Sequence, residues 1–345
     1  MNFRRVRIVY NRRSGPGLSR FQRVEEAFER HWAGSVAHDL SWTFPVSRDD
    51  SLRAVREAVD GGADLVVACG GDGTVSSLGT ALVGTGVPLA VVPMGSGNGL
   101  ARHFRQKLDP AEAVAELAGG HVVPLDVGRA NGHPFLVSAS VAWDAELVRA
   151  YDRLPMRGVG SYVLAGAMTL LDYAPQPLSV AVDDEPPFEI PDPLLFTVGN
   201  VSGWGGGALI DPASDASDGR LELVAGRKRD AARMLADIAT VFSEGSCALP
   251  GAIHRSFSRL RVERPAAQPI QLDGERIDMP ASVEFTVESG ALSLLVPRCA
   301  PPPWRRPPGQ GATAAGRRPG PERRGAAENL FRASLSLLRS KERFR

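Results

Sequence analysis

Over the first third of the chain, short hydrophobic runs alternate with helical repeats. Residues 6–10, 40–44, 63–68 and 88–93 are apolar runs of strand length, and the third is continuous enough to read as a buried strand. Between them Phe21, Val24, Phe28 and Trp32 recur at spacings of three and four, as do Leu52, Val55 and Val59. These spacings predict two amphipathic helices. A third helix is expected over 75–83, and Asp109-Pro110 opens another, with aspartate as cap and proline in the first turn. Strands alternating with helices predict a parallel sheet covered on both faces. Such sheets bind ligands outside the carboxyl ends of their strands. Three polar or glycine-rich loops, at 11–17, 70–74 and 94–99, fall at such ends.

From about residue 122 the pattern changes. Asn131-Gly132 predicts a hairpin between two apolar strands. Helical segments are expected near 144–153 and 160–173. Strand-like runs then follow at 178–182, 194–200, 221–224, 256–263, 270–273, 283–287 and 292–296, interrupted by a helix near 230–243. The expected fold is an α/β first domain with a mainly parallel sheet, followed by a mainly antiparallel, β-sandwich-like second domain. The expected division is 1–122, 123–298 and a tail at 299–345. Pro, Gly, Arg and Ala dominate the tail up to about 325, which predicts disorder.

Charge changes this picture more than composition does. The chain has 345 residues and a net charge of +1. Residues 301–345 hold eleven Lys/Arg against three Glu, a net of +8, which leaves −7 on the first 300 residues. A basic tail on an acidic body suits an anionic surface, and charge alone does not choose between membrane and nucleic acid. Within the tail, Leu330, Leu337, Leu338 and Phe344 alternate with Arg332, Arg339, Lys341 and Arg343. That mixture predicts a short amphipathic helix suited to a lipid interface. No apolar run approaches the roughly 20 residues of a membrane span. Residues 1–10 lack a signal-peptide core. Cys69, Cys247 and Cys299 form neither a disulfide framework nor a zinc pattern, which fits a reducing cytoplasm.

The candidate chemistry centres on Gly70-Gly71-Asp72-Gly73-Thr74. A strand that ends in glycines and opens a helix aims main-chain N–H groups at a ligand, which favours phosphate. The stretch is neither a Walker loop nor a dinucleotide fingerprint. An acid inside the glycines suits a metal ion or a hydroxyl about to be phosphorylated.

Together with Asn11, Ser14-Gly15, and Pro93-Met94-Gly95-Ser96-Gly97-Asn98, this turn resembles the diacylglycerol kinase catalytic-domain family, which includes bacterial lipid kinases and sphingosine kinases. The resemblance continues through Asp126-Val127-Gly128, Val198-Gly199-Asn200, Gly205-Gly206-Gly207, Asp218-Gly219 and Asp273-Gly274-Glu275, and spans about residues 6–297. It implies an ATP-dependent lipid kinase with the nucleotide between two domains and a lipid pocket in the second. The implied nucleotide site is Asn11, Arg12, Arg13, Ser14, Gly15, Thr43, Gly71, Asp72, Gly73, Thr74, Val75, Ser76, Ser77 and Ser96. Magnesium is implied at Asp215, Asp218 and the Arg220 carbonyl. Glu275 is the favoured base for the acceptor hydroxyl, with Asp72 the acid of the nucleotide site and its competitor for that role. Diacylglycerol is the favoured acceptor and a sphingoid base or ceramide the alternative. A nucleotide- and lipid-binding regulator without turnover is the reading from another class, and a NAD-kinase-like enzyme with a soluble acceptor explains only the glycine turn. The expected partners are a lipid and an anionic membrane surface, not nucleic acid, with a homodimer left open. The chain departs from the family at Arg12, where proline is usual, at Ser77, where glutamate is common, and at Ala142-Trp143, where Gly-Phe is usual.

Overall fold

The computed structural model describes residues 2–13, 18–143, 173–230 and 240–298. The first half runs β1 (Phe3–Tyr10), α1 (Leu18–His31), β2 (Ala37–Thr43), α2 (Arg48–Asp60), β3 (Leu65–Gly70), α3 (Asp72–Leu82), β4 (Leu89–Pro93), α4 (Gly99–His103) and α5 (Pro110–Ala118). Then come β5 (His121–Ala130), β6 (His133–Phe135), β7 (Ser138–Ser140), β8 (Leu178–Val182), β9 (Phe188–Ile190) and β10 (Pro193–Gly199). β11 (Gly203–Gly205), β12 (Ala208–Leu209), β13 (Leu221–Arg227), α6 (Thr240–Ser243) and β14 (Ile253–Phe257) follow. The last strands are β15 (Arg259–Glu263), β16 (Gln268–Leu272), β17 (Glu275–Met279) and β18 (Ser282–Val296).

β2, β1, β3 and β4 lie side by side in parallel. Period-two alternation explains why helices cover both faces. Val66 and Ala68 of β3 pack with Val55 of α2 and Leu78 of α3. Leu65, Val67 and Cys69 of the same strand point the other way, to Phe28 of α1, Trp32 just after it and Val114 of α5. The buried Trp32 indole donates to the Val114 carbonyl at 2.8 Å, so its one polar atom is satisfied.

The second half is a sandwich. A six-stranded sheet in the order β14-β13-β10-β7-β16-β17 is antiparallel throughout. Its Phe196, Leu223 and Ile270 meet Val180, Leu260 and Phe285 of β8, β15 and β18 in one core. β18 joins the halves: it pairs with β15 and β5, and at Leu294 and Leu295 it runs parallel beside Leu89 and Ala90 of β4.

Two predicted runs divide differently from the expectation. The stretch 256–263 breaks at Ser258, with β14 in one sheet and β15 in the other. The Asp183 carboxylate holds this corner by accepting from the Ser258 and Arg259 N–H groups at 3.0 and 2.8 Å. The runs 283–287 and 292–296 are one strand, whose register shifts between Glu288 and Leu292 as Gly290 takes a φ of 61°. The helices expected at 144–153 and 160–173 and the basic tail lie outside the described residues, apart from Tyr173. The helix expected near 230–243 is described only at its ends, as a 3-10 turn at Lys228–Asp230 and as α6.

Candidate active site

The glycine turn after β3 is built against the turn after β4. Asp72 opens α3, and its two carboxylate oxygens accept the main-chain N–H groups of Asn98 and Gly99 at 2.8 and 2.7 Å. Asn98 has a φ of 55° and folds its amide back on Gly95, accepting from its N–H at 3.0 Å and donating to its carbonyl at 2.8 Å. The backbones then come close enough that a Cβ on Gly95 would lie 2.8 Å from the Gly71 Cα. Only glycine permits that approach. The second domain adds a third glycine strip: the Gly206 N–H donates to the Gly97 carbonyl at 2.9 Å, and a Cβ on Gly205 would lie 2.9 Å from Gly97.

Two further bonds extend the cluster. Asn11, after β1, donates its amide to the Thr74 hydroxyl at 2.8 Å and accepts the Arg13 N–H at 3.0 Å. Ser76, on the second turn of α3, donates to Asp273 at 2.8 Å. Asp273 sits at a φ of 48° in the turn between β16 and β17. It also accepts from the N–H groups of Leu136, Val137 and Ser138 at 2.8, 2.7 and 3.0 Å. Burial pushes its carboxyl up, against those four bonds. Two residues on, the half-buried Glu275 pairs with Arg48 at the start of α2.

Of the residues expected at a nucleotide site, Asn11, Gly71, Asp72, Gly73 and Thr74 are thus brought together, and the loop carrying Ser96 is locked to them. Gly73 is exposed, and beyond its own helix a Cβ there would meet no atom within 4 Å. The Arg12 guanidinium lies 4.4 Å from the centre of the Phe44 ring, a cation–π contact. Thr43, at the end of β2, accepts from Arg7 at 3.4 Å. Val75 and Ser77 are buried. Ser14 and Gly15 lie outside the described residues.

Asp215, Asp218 and Arg220 occupy a separate turn before β13. The buried Asp126 holds it, accepting from the Gly219 and Gly290 N–H groups at 2.6 and 2.7 Å. Asp218 accepts the Arg220 N–H at 2.9 Å. Burial first, and then the charges of Asp215, Glu222 and Asp126, push Asp218 up to about 6. Hard oxygen donors with unbalanced negative charge suit a hard divalent cation. The Arg220 side chain turns away to the Ser256 carbonyl and Asp183.

Several organising residues escaped sequence reasoning. Asp273 stood in the Asp273-Gly274-Glu275 motif without an anchoring role, and Arg48 was unmarked. Asn200 donates to the carbonyls of Asp126 and Leu136 at 2.7 and 2.9 Å, tying the acidic turn to the Asp273 anchor. His254 on β14 was unmarked. It lies 3.2 Å from Asp211 and 2.9 Å from Glu222, whose carboxylates push it up to about 10.

Residues 5–130 match the model of the diacylglycerol kinase catalytic domain, and residues 137–296 that of the YegS C-terminal NAD kinase beta sandwich-like domain. The chain is 29% identical over 256 residues to a protein of Mycobacterium tuberculosis named diacylglycerol kinase, covering 72% of this chain and 82% of that one. It is 29% identical over 292 residues to a Pseudomonas aeruginosa protein named "Probable lipid kinase YegS-like", covering 83% and 92%. A crystal structure of a diacylglycerol kinase from Bacillus anthracis superposes with a TM-score of 0.68 at 19% identity, over 87% of this chain and 99% of that one.

Proposed function

The chain belongs to the diacylglycerol kinase catalytic-domain family and is a lipid kinase by that membership; from this premise we propose that it transfers the γ-phosphoryl group of ATP to a lipid hydroxyl. The supporting observation is the join between Ser76 and Asp273. It sets the glycine turns of the first domain beside the hairpin turn that carries Glu275. Phosphoryl transfer has a loose transition state, so positioning and charge neutralisation do most of the catalysis.

In this reading the α3 N-terminus and the exposed Gly73 receive phosphate, since free N–H groups and the helix dipole favour negative charge there. Arg12 and Arg13 add positive charge at the rim. Asp72 is a positioning residue that fixes the two glycine turns against each other. Glu275, held by Arg48, takes the proton of the acceptor hydroxyl. Mg2+ would be held by Asp215, Asp218 and the Arg220 carbonyl, where it supplies charge neutralisation.

Diacylglycerol or a related glycerolipid is the favoured acceptor, with a sphingoid base or ceramide as the alternative. γ-Labelled ATP offered with a panel of detergent-dispersed lipids tests the reading: label entering one lipid class supports it. ATP turnover without any labelled lipid would sink it. Among the described residues no helix is long and apolar enough to cross a membrane. The net +8 of residues 301–345 supports docking on anionic membrane, worth about 1 kcal/mol per basic residue near the surface. Deleting the tail should release the protein from anionic vesicles at low salt while activity on detergent-dispersed lipid persists. Equal vesicle binding with and without the tail would refute this docking role.

A further inference from the structure

Three metal-ligating side chains converge on the outer face of the six-stranded sheet. Leu221 and Leu223 of β13 enter the sandwich core, so Glu222 between them points to the opposite face. The register sets Glu222 opposite Ser256 and Val224 opposite His254, which makes Glu222 and His254 diagonal neighbours on that face. Asp211, in the loop after β12, reaches the same spot. The His254 Nε2 lies 3.2 Å from the Asp211 Oδ2 and 2.9 Å from the Glu222 Oε2, and all three donor atoms fall within 4.8 Å of one another. The loop is braced. The Asp211 Oδ1 accepts the Ala213 N–H at 2.8 Å, and the Ser246 hydroxyl and the Cys247 N–H both donate to the Ile210 carbonyl at 3.1 Å. The Cys247 thiol hydrogen-bonds Asp211.

Hydrogen bonding alone leaves this trio incomplete. Asp211 and Glu222 are both buried, while His254 is partly exposed and leaves a way in from solvent. One imidazole nitrogen carries at most one hydrogen, which cannot point at two carboxylates at once. Even with that proton, two carboxylates against one imidazolium keep a net negative charge out of water. A divalent ion beside a neutral imidazole would balance both carboxylates. Donors bonded at about 2.0–2.2 Å around a tetrahedral zinc ion stand about 3.3–3.6 Å apart. The separations of 3.2 and 2.9 Å come within about half an ångström of that spacing. Imidazole, with a thiol alongside, favours zinc and its neighbours over magnesium or calcium.

We propose that Asp211, Glu222 and His254 bind a divalent transition-metal ion of the zinc class, with the Cys247 thiol beside them as a further donor. The ion would pin the loop after β12 to β13 and β14. In the metal-free protein a proton on His254 takes its place between the carboxylates. The site shares no ligand with the turn of Asp215, Asp218 and Arg220. It requires neither ATP nor phosphoryl transfer, so it stands independently of the kinase reading.

The test is equilibrium binding of Zn2+ to the chelator-stripped full-length protein, read by competition with a chromophoric chelator in excess Mg2+. One Zn2+ per chain should bind with a dissociation constant of about 1 µM or tighter, undisturbed by the magnesium. His254→Gln should weaken binding about 100-fold or more, since losing a partner that merely supports a ligand already costs about 10–100-fold. Glu222→Gln keeps the shape of the side chain and should weaken binding as well, with circular dichroism reporting that each variant is folded. Co2+ added to the stripped wild type needs no variant. Four-coordinate ligation through nitrogen gives strong visible absorption, which Zn2+ should abolish. Absence of Zn2+ binding, displacement of Zn2+ by magnesium, only the weak colour of hydrated Co2+, or unchanged affinity in folded His254→Gln would overturn the proposal.

Discussion

The Ser76 hydroxyl donates to the Asp273 carboxylate at 2.8 Å across 197 residues of sequence. The same carboxylate accepts three consecutive main-chain N–H groups, from Leu136 to Ser138. One side chain thus fixes α3, the start of β7 and the hairpin that presents Glu275.

The first prediction concerns that anchor. Asp273→Ala removes the acceptor for four donors, and stranded buried donors cost about 1–3 kcal/mol each when water cannot reach them. Some will be rehydrated, so a loss of about 2–4 kcal/mol in urea unfolding is expected. Asp273→Asn should lose less, since its carbonyl can still accept. A loss below about 1 kcal/mol in Asp273→Ala would show that the turn holds its place without this carboxylate.

Gly73 tests whether phosphate rests on the first turn of α3. Beyond its own helix, an added Cβ there would meet nothing within 4 Å, so a side chain on this exposed turn has room in the protein and would crowd a phosphate resting on it. Gly73→Val should leave the thermal midpoint within a few degrees and weaken ATP binding by about tenfold, equivalent to roughly 1.4 kcal/mol. Unchanged ATP affinity would move the phosphates elsewhere.

His254 gives stability a pH signature. Folding places it between Asp211 and Glu222, which raise it from 6.5 to about 10. A raised folded-state value stabilises fully below the unfolded value, and the gain is lost as pH climbs through the folded one. The melting-temperature gap between wild type and His254→Gln should therefore be widest near pH 6 and close progressively towards pH 10. A gap constant over that range would mean that the proton on His254 contributes nothing to stability.

The parallel sheet, its covering helices and its three terminal loops were legible because each rests on local pattern. The continuous apolar run at 63–68 and the three-and-four spacing from Phe21 to Trp32 need no distant partner. The glycines of 70–74 and 94–99 were legible as turns. Their mutual contact was not, because a single carboxylate, Asp72, makes it by reaching backbone atoms 26 and 27 residues away. Asp273 was hidden for the same reason: Asp-Gly between two strands satisfies a hairpin turn by itself, and its real partners are 135 or more residues away. The second half was read as a mainly antiparallel, sandwich-like domain, without the division of its strands between the two sheets. Nothing near Ser258 marks the change of sheet there except Asp183, some 75 residues upstream. β18 showed its apolar runs, yet its pairing with β4 of the first half depends on topology alone.

The most direct measurement is transfer of γ-label from ATP to lipid by wild type and Glu275→Gln, with ATP affinity measured in parallel. Glu275 is partly exposed and pairs with Arg48, so the amide should leave the fold intact. Labelled lipid is expected from wild type, with a fall of about 10²–10⁴-fold in turnover for the variant and ATP affinity unchanged. Wild-type turnover retained in Glu275→Gln would contradict this, as would a collapse of ATP affinity, which would place Glu275 with the phosphates or the metal.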